Sequence, residues 1–240
     1  MEGFFVYWSI SLLVHWYIDD LIHQYTNTPI HQQRLMQEIH LTTQFGAVYG
    51  KAAGEPGNPV VLGIHGWSQR NGWHSWSPLL EPLAEAGFYA VSVDMPGWGR
   101  SVPDDKQPRT GKWAIESVLD ILDILRVEDA PFATLMGKSW GGGVALEFAL
   151  KYPDWCHKLI LTAPAYQGDL AALTRLQPPV LLAWAEDDPV IPISFAKEVA
   201  AAIPHCTLIT YPNGGHSAAM NNAADFAPRA VAFLKNDSKQ

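Results

Sequence analysis

Cysteine is nearly missing from this chain of 240 residues, where Cys156 and Cys206 are the whole supply. Two thiols cannot make the disulfide framework of a secreted scaffold, and the expectation is a reduced, cytoplasmic compartment. Basic residues are scarce as well: 16 Lys and Arg against 24 Asp and Glu leave a formal net charge of −8. A nucleic-acid partner wants a basic face, so that class is excluded. No Lys or Arg precedes Arg34, which removes the basic flank a secretory signal carries ahead of its apolar run. Internal repeats, low-complexity tracts and His pairs with ligand spacing in a supporting context are lacking too, so neither a repeat array nor a metal or organic cofactor is expected.

A long uninterrupted hydrophobic run is the next absence. Phe4 to Ile18 is strongly apolar, but Asp19 and Asp20 stop it short of the roughly 20 residues that span a bilayer. On a helix, Ser11, His15, Asp19 and His23 recur every fourth residue as one narrow polar stripe, and the remaining circumference is apolar. Such a helix needs a cover: its own domain, a dimer mate, a membrane surface or the mouth of an active site. Residues 1–35 are therefore read as an apolar helical extension, with a homodimer or peripheral membrane contact expected through residues 4–22. Residues 36–240 are read as one globular domain.

What is abundant is apolar sequence in short runs. With 48% hydrophobic and 17% charged residues the chain supports a large core. Residues 36–42 and 47–52 flank a Gln-Phe-Gly turn and predict a hairpin. Continuous apolar runs at 60–64, 89–93, 132–136, 158–163, 180–185 and 207–211 suit strands buried on both faces. Helical patterns lie between them, at 77–86, 111–126, 140–152, 193–202 and 223–234. In the second of these, Ile115, Val118, Leu119, Leu122 and Leu125 form the expected buried stripe. The alternation predicts an α/β domain: a doubly wound, mostly parallel sheet of about eight strands with helices on both faces. Ligands of such sheets bind beyond the carboxyl ends of the strands.

The stretch "TLMGKSWGGG", Thr134 to Gly143, sits at one such end. Its Gly-Lys-Ser looks like the close of a phosphate loop, but Phe132 stands where that loop needs its first glycine. The same residues fit Gly137-x-Ser139-x-Gly141, a strand, a tight turn and an immediate helix, which is how a nucleophilic serine is presented. A serine needs a base, and the base an orienting carboxylate. Glu186, Asp187 and Asp188 follow the run at 180–185, and His216 follows the next, in the order Ser, acid, His. Oxyanion donors are expected from the backbone N–H of Trp140, after the serine, and of Trp67, in the loop after 60–64. His65 and Trp98 in neighbouring loops, and Lys138 beside the serine, are candidates for the substrate pocket; the commoner role of a histidine at 65 is to fix its loop by hydrogen bonding, and Lys138 has the alternative of pointing away from the cleft into a salt bridge or water. Trp8, Trp16, Trp113 and Trp155 are expected mainly to fill the core.

These residues together give the chain its resemblance to the α/β-hydrolase fold superfamily, over about residues 36–235. The matching motifs are His65-Gly66-Trp67, Asp94-x-Pro96-Gly97-x-Gly99-x-Ser101, Gly137-Lys138-Ser139-Trp140-Gly141, Asp188-Pro189 and Gly215-His216. The resemblance implies Ser139 as nucleophile, Asp188 as acid by its place before Pro189, with Asp187 the competitor, His216 as base, and Trp67 and Trp140 as oxyanion donors. It implies no cofactor and leaves the substrate open: a small, apolar ester or thioester is the expectation, with carbon–carbon bond hydrolysis, perhydrolysis or acyl transfer by the same triad, or a signalling or scaffold protein that keeps the hydrolase shell, as alternatives. Family members commonly insert a lid domain after the sixth strand; here only residues 166–179 are available, which implies the compact, lid-less branch. In the fold's usual strand order, Cys156 and Cys206 flank the strand at 180–185, roughly 9–10 Å apart, beyond disulfide reach.

Overall fold

A computed structural model describes residues 36–101, 110–126 and 133–236. The expected N-terminal helical extension, with the contact proposed for residues 4–22, lies outside the described residues. Eight strands form one sheet: β1 (Gln37–Thr43), β2 (Gly46–Ala53), β3 (Val60–Ile64), β4 (Tyr89–Val93), β5 (Ala133–Lys138), β6 (Cys156–Thr162), β7 (Val180–Ala185) and β8 (Cys206–Tyr211). Their spatial order is β1-β2-β4-β3-β5-β6-β7-β8. β1 and β2 are an antiparallel hairpin laid antiparallel on β4, and every later pairing is parallel. The parallel strands β3, β4 and β7 are buried along their whole length, which is why they read as continuous apolar runs.

Among the described residues six helices cover the two faces: α1 (Ser77–Glu85), α2 (Lys112–Leu125), α3 (Trp140–Lys151), α4 (Ile193–Ala202), α5 (Ala218–Asn221) and α6 (Ala223–Lys235). Leu62, Leu135, Leu159 and Leu182 point into a core shared with α2, α3 and α4. Val61, Met136, Ile160 and Leu181, one residue away on the same strands, point into a second core under α1, α5 and α6. The alternation of side chains along a strand thus makes one sheet serve two layers.

Helix α2 sits slightly rotated from its expected orientation. Ala114, Ser117, Val118, Ile121, Leu122 and Leu125 are buried, while Ile115 and Leu119 are only partly covered. The turn is set by polar anchors: Asp120 accepts the Gln44 N–H at 2.7 Å, and Glu116 pairs with Lys151 and Tyr152 on α3. Trp113, expected in the core, is 50% exposed. It stands at the first turn of α2, edge-on to Phe45 with Lys112 over its ring.

Between β6 and β7 the chain runs only from Ala163 to Pro179, with one short 3₁₀ turn at Leu170–Arg175. No inserted domain stands over this end of the sheet in that connection. Among the described residues, no helix is long and apolar enough to cross a membrane.

Candidate active site

The turn from β5 into α3 is built by close approach. A Cβ on Gly137 would lie 2.6 Å from Gly141 O and from Gly142 Cα; one on Gly141 would lie 2.4 Å from His65 O. No larger residue fits at either position without moving backbone. The compression leaves Ser139 at φ 51°, ψ −117°, a conformation that non-glycine residues rarely adopt. Four hydrogen bonds hold it there. The Ser139 N–H donates to Thr162 O at 3.0 Å, and its carbonyl accepts from the N–H groups of Gly142, Gly143 and Ala165 at 2.9, 3.1 and 2.8 Å.

His216 reaches the serine from the turn Gly215–Ser217 that precedes α5. Its Nε2 lies 2.7 Å from Ser139 Oγ, and its Nδ1 lies 2.9 and 3.1 Å from the two carboxylate oxygens of Asp188. The geometry puts the ring proton on Nδ1, donated to Asp188, so that Nε2 accepts from the hydroxyl. Asp188 is itself fixed, with its side chain fully buried and Oδ1 accepting the N–H groups of Val190 and Ile191 at 2.8 and 3.0 Å. Asp187, its rival by sequence, does not touch the ring. Its Oδ1 accepts the Gly215 N–H at 2.7 Å and so ties down the loop that carries His216.

Of the two expected oxyanion donors, Trp140 opens α3, where an N–H has no partner within the helix. Trp67 follows Gly66, whose Cβ position would be 3.6 Å from Ser139 Cβ, so this loop lies against the serine. Among the described residues neither of these two N–H groups has a hydrogen-bond partner. The Trp67 side chain is 56% exposed at the mouth and stands edge-on to the rings of Trp98 and Trp140, 5.6 and 5.8 Å away.

The pocket assignments of His65 and Trp98 need correction. His65 is 0% exposed and Trp98 1% exposed, so neither presents a surface to a ligand. His65 Nε2 accepts the Met95 N–H at 3.0 Å, and Nδ1 donates to Gly66 O at 2.7 Å. Burial pushes its pKa down to about 4, which makes it a neutral brace between two loops. Trp98 donates its indole N–H to Trp67 O at 2.9 Å and packs 4.7 Å from the Trp140 ring, so it holds the Trp67 loop from behind. The loop-fixing role expected of His65 is the one its two hydrogen bonds give it, and burial removes the pocket role from both residues, because a loop residue's burial is decided by what packs over it.

Sequence reasoning also missed the reach of Asp94. Its carboxylate accepts the N–H groups of Trp73 and Arg100 at 2.7 and 2.8 Å and clasps the two loops that flank His65. Its place at the head of Asp94-x-Pro96-Gly97 was the available signal. Lys138 is half-buried beside the serine. Among the described residues, no group of three or more His, Cys, Asp or Glu side chains is gathered to hold a metal ion.

Sheet order, strand-turn-helix elbow and the Ser-His-Asp relay define one class, and the chain belongs to the α/β-hydrolase superfamily. The family model for the alpha/beta hydrolase fold matches residues 59–177, and a second, for TAP-like proteins, matches 147–238. Among curated proteins, the chain is 34% identical over 109 residues to a 2-hydroxy-6-oxononadienedioate/2-hydroxy-6-oxononatrienedioate hydrolase of Escherichia coli. That match covers 44% of this chain and only 36% of the relative. Among solved structures, a predicted CIB-like hydrolase from Thermoplasma acidophilum aligns with a TM-score of 0.74 at 26% identity, over 84% of this chain and 98% of the other. A carboxylesterase from Bacillus subtilis shares the fold, with a TM-score of 0.72 at 18% identity over 86% and 93% of the two chains.

Proposed function

We propose that the protein is a serine hydrolase acting on a small carboxylic ester or thioester. The observation that carries this reading is the continuous relay from Ser139 Oγ through the two nitrogens of His216 to the buried Asp188. Ser139 Oγ attacks the substrate carbonyl as its proton passes to His216 Nε2, and Asp188 stabilises the imidazolium without taking the proton. The negative charge that develops on the carbonyl oxygen is met by the N–H groups of Trp67 and Trp140, with the α3 dipole behind them. His216 returns the proton to the departing alcohol or thiol, which leaves an acyl group on Ser139. A water, deprotonated by the same nitrogen, attacks that acyl group and releases the acid. The short β6–β7 connection and the exposed Trp67 favour a small substrate with an apolar part that packs on the indole.

A second reading has one specific support. The curated E. coli relative is a hydrolase of 2-hydroxy-6-oxononadienedioate and 2-hydroxy-6-oxononatrienedioate, and the same relay on this fold serves carbon–carbon bond hydrolysis when the leaving group is a stabilised carbanion. The two readings share the acyl-serine and differ in what the cleft binds.

An active-site-directed fluorophosphonate tests both. It labels the wild-type protein covalently and leaves Ser139→Ala unlabelled; equal labelling of the two proteins removes Ser139 from the mechanism. A panel of p-nitrophenyl esters of increasing acyl length beside a vinylogous 1,5-diketone substrate then separates ester from carbon–carbon cleavage.

A further inference from the structure

Lys138 takes no part in the chemistry above, yet it adjoins the nucleophile. Side chains alternate along β5: Leu135 packs toward α2 and α3, and Met136 packs toward α1 and α6. Two residues beyond Met136, Lys138 ends the strand on that second face. The neighbouring strands on this face are covered by the 3₁₀ turn Trp73–Trp76, whose Trp76 indole N–H donates to Ile64 O on β3, and by α5, whose Ala219 N–H reaches Thr162 Oγ1 on β6. Lys138 therefore ends the strand on the face that the turn at residues 73–76 covers, close enough for its charge to act on the His65 ring.

Its charge has no counter-ion there. Among the described residues Lys138 makes no hydrogen bond or ion pair, and the carboxylates of the site are engaged elsewhere. Asp188 serves His216 and two N–H groups, Asp187 serves Gly215, and Asp94 serves Trp73 and Arg100. Burial holds the Lys138 amine below the ordinary lysine range, and no neighbouring carboxylate opposes that shift. In a chain with 24 acidic and 16 basic residues, a half-buried cation without an acidic partner is an uncompensated cost. A polar donor lies in the loop that leads into the turn at residues 73–76. Asn71 Nδ2 lies 3.3 Å from the Cβ position of Gly66, the same point that lies 3.6 Å from Ser139 Cβ, and Asn71 Oδ1 accepts from Ser75 Oγ at 3.5 Å. The amide nitrogen is thereby turned toward Gly66, which itself lies against Ser139.

We propose that Lys138 and Asn71 form an anion subsite beside Ser139 that binds a carboxylate of the substrate, so that the preferred substrate is a monoester or monothioester of a small dicarboxylic acid. The proposal rests on the hydrolase reading and narrows its substrate class. A carboxylate there supplies the missing counter-charge and accepts a charge-assisted hydrogen bond from Nζ. Lys138 is a specificity residue in this account, distinct from the relay.

Two esters that differ only in that carboxylate provide the test: mono-p-nitrophenyl glutarate and p-nitrophenyl methyl glutarate. The wild-type protein prefers the free acid by about tenfold or more in kcat/KM, mainly through KM, as expected for one charge-assisted contact. Lys138→Met brings that ratio close to one, and Lys138→Arg retains most of it. A Lys138→Met protein that loses activity equally on both esters, with the ratio kept, overturns the proposal and assigns Lys138 to the oxyanion. Glutarate binding is read independently of turnover: it raises the Tm of Ser139→Ala and fails to do so in Ser139→Ala/Lys138→Met. No shift in the single variant also overturns the proposal. If neither ester is hydrolysed in a Ser139-dependent way, the hydrolase reading fails, and the Tm measurement still decides the anion subsite.

Discussion

Two adjacent carboxylates hold one histidine by different handles. Asp188 bonds the imidazole, and Asp187 bonds the backbone of the residue before it. Asp188→Asn presents an amide to Nδ1, favours the wrong tautomer and lowers kcat by about four orders of magnitude. Asp187→Asn keeps an acceptor for Gly215 and costs about tenfold or less, because it loosens only the position of the ring. Steady-state hydrolysis of one p-nitrophenyl ester by both variants checks the ranking, and the reverse order exchanges their roles. His65 carries a pH signature. With its pKa lowered to about 4 in the folded protein against 6.5 when exposed, the unfolded chain binds the extra proton between those values. Stability is therefore full above pH 6.5 and falls as pH drops toward 4, by up to about 3 kcal/mol from this group. Urea midpoints at pH 7 and pH 5 show the loss, and His65→Gln flattens the difference while lowering both values.

The elbow is where local sequence and backbone strain meet. Ser139 sits at a positive φ because strand, turn and helix must close within a few residues, and strain of this kind costs about 1–3 kcal/mol. Ser139→Gly relieves it and Ser139→Ala does not, so the glycine variant melts about 2–4 °C higher than the alanine variant despite its greater chain entropy. Gly141→Ala acts the opposite way. Its methyl group meets the carbonyls of Ile64 and His65 at 2.5 and 2.4 Å, so α3 and the oxyanion loop must separate. Activity falls at least about tenfold and Tm falls with it, which paired ester assays and thermal melts record. The elbow was legible because all its requirements lie within one short run of chain. The orientation of α2 was less so: its apolar residues cover a wide arc, and the choice among them fell to Asp120 and Glu116, whose partners lie 76 and 35 residues away.

At the scale of the whole molecule, the two thiols report on the sheet. Cys206 is level with Val180, and Val180 with Leu159, so Cys156 lies two strands aside and three residues lower than Cys206. That separation is roughly 14 Å, larger than the strand spacing alone gives, and no disulfide spans it. Burial raises Cys156 to about 12 and Cys206 to about 11, which suppresses the thiolate in both. In the native protein a colorimetric thiol reagent finds Cys156 silent and Cys206 slow; in urea both react at once. Rapid reaction of Cys156 without denaturant contradicts the packing of β6. The sequence by itself determined the alternation of strands and helices, the elbow and the order of Ser139, an acid at 187 or 188 and His216, because periodicity and turn chemistry are written locally along the chain. Only the tertiary structure brought His216 onto a serine 77 residues away, separated Asp188 from Asp187, sealed His65 and Trp98 behind the site and left Trp67 and Trp113 exposed. Those outcomes depend on which distant segments close over a given side chain, and that is a property of strand order and loop packing.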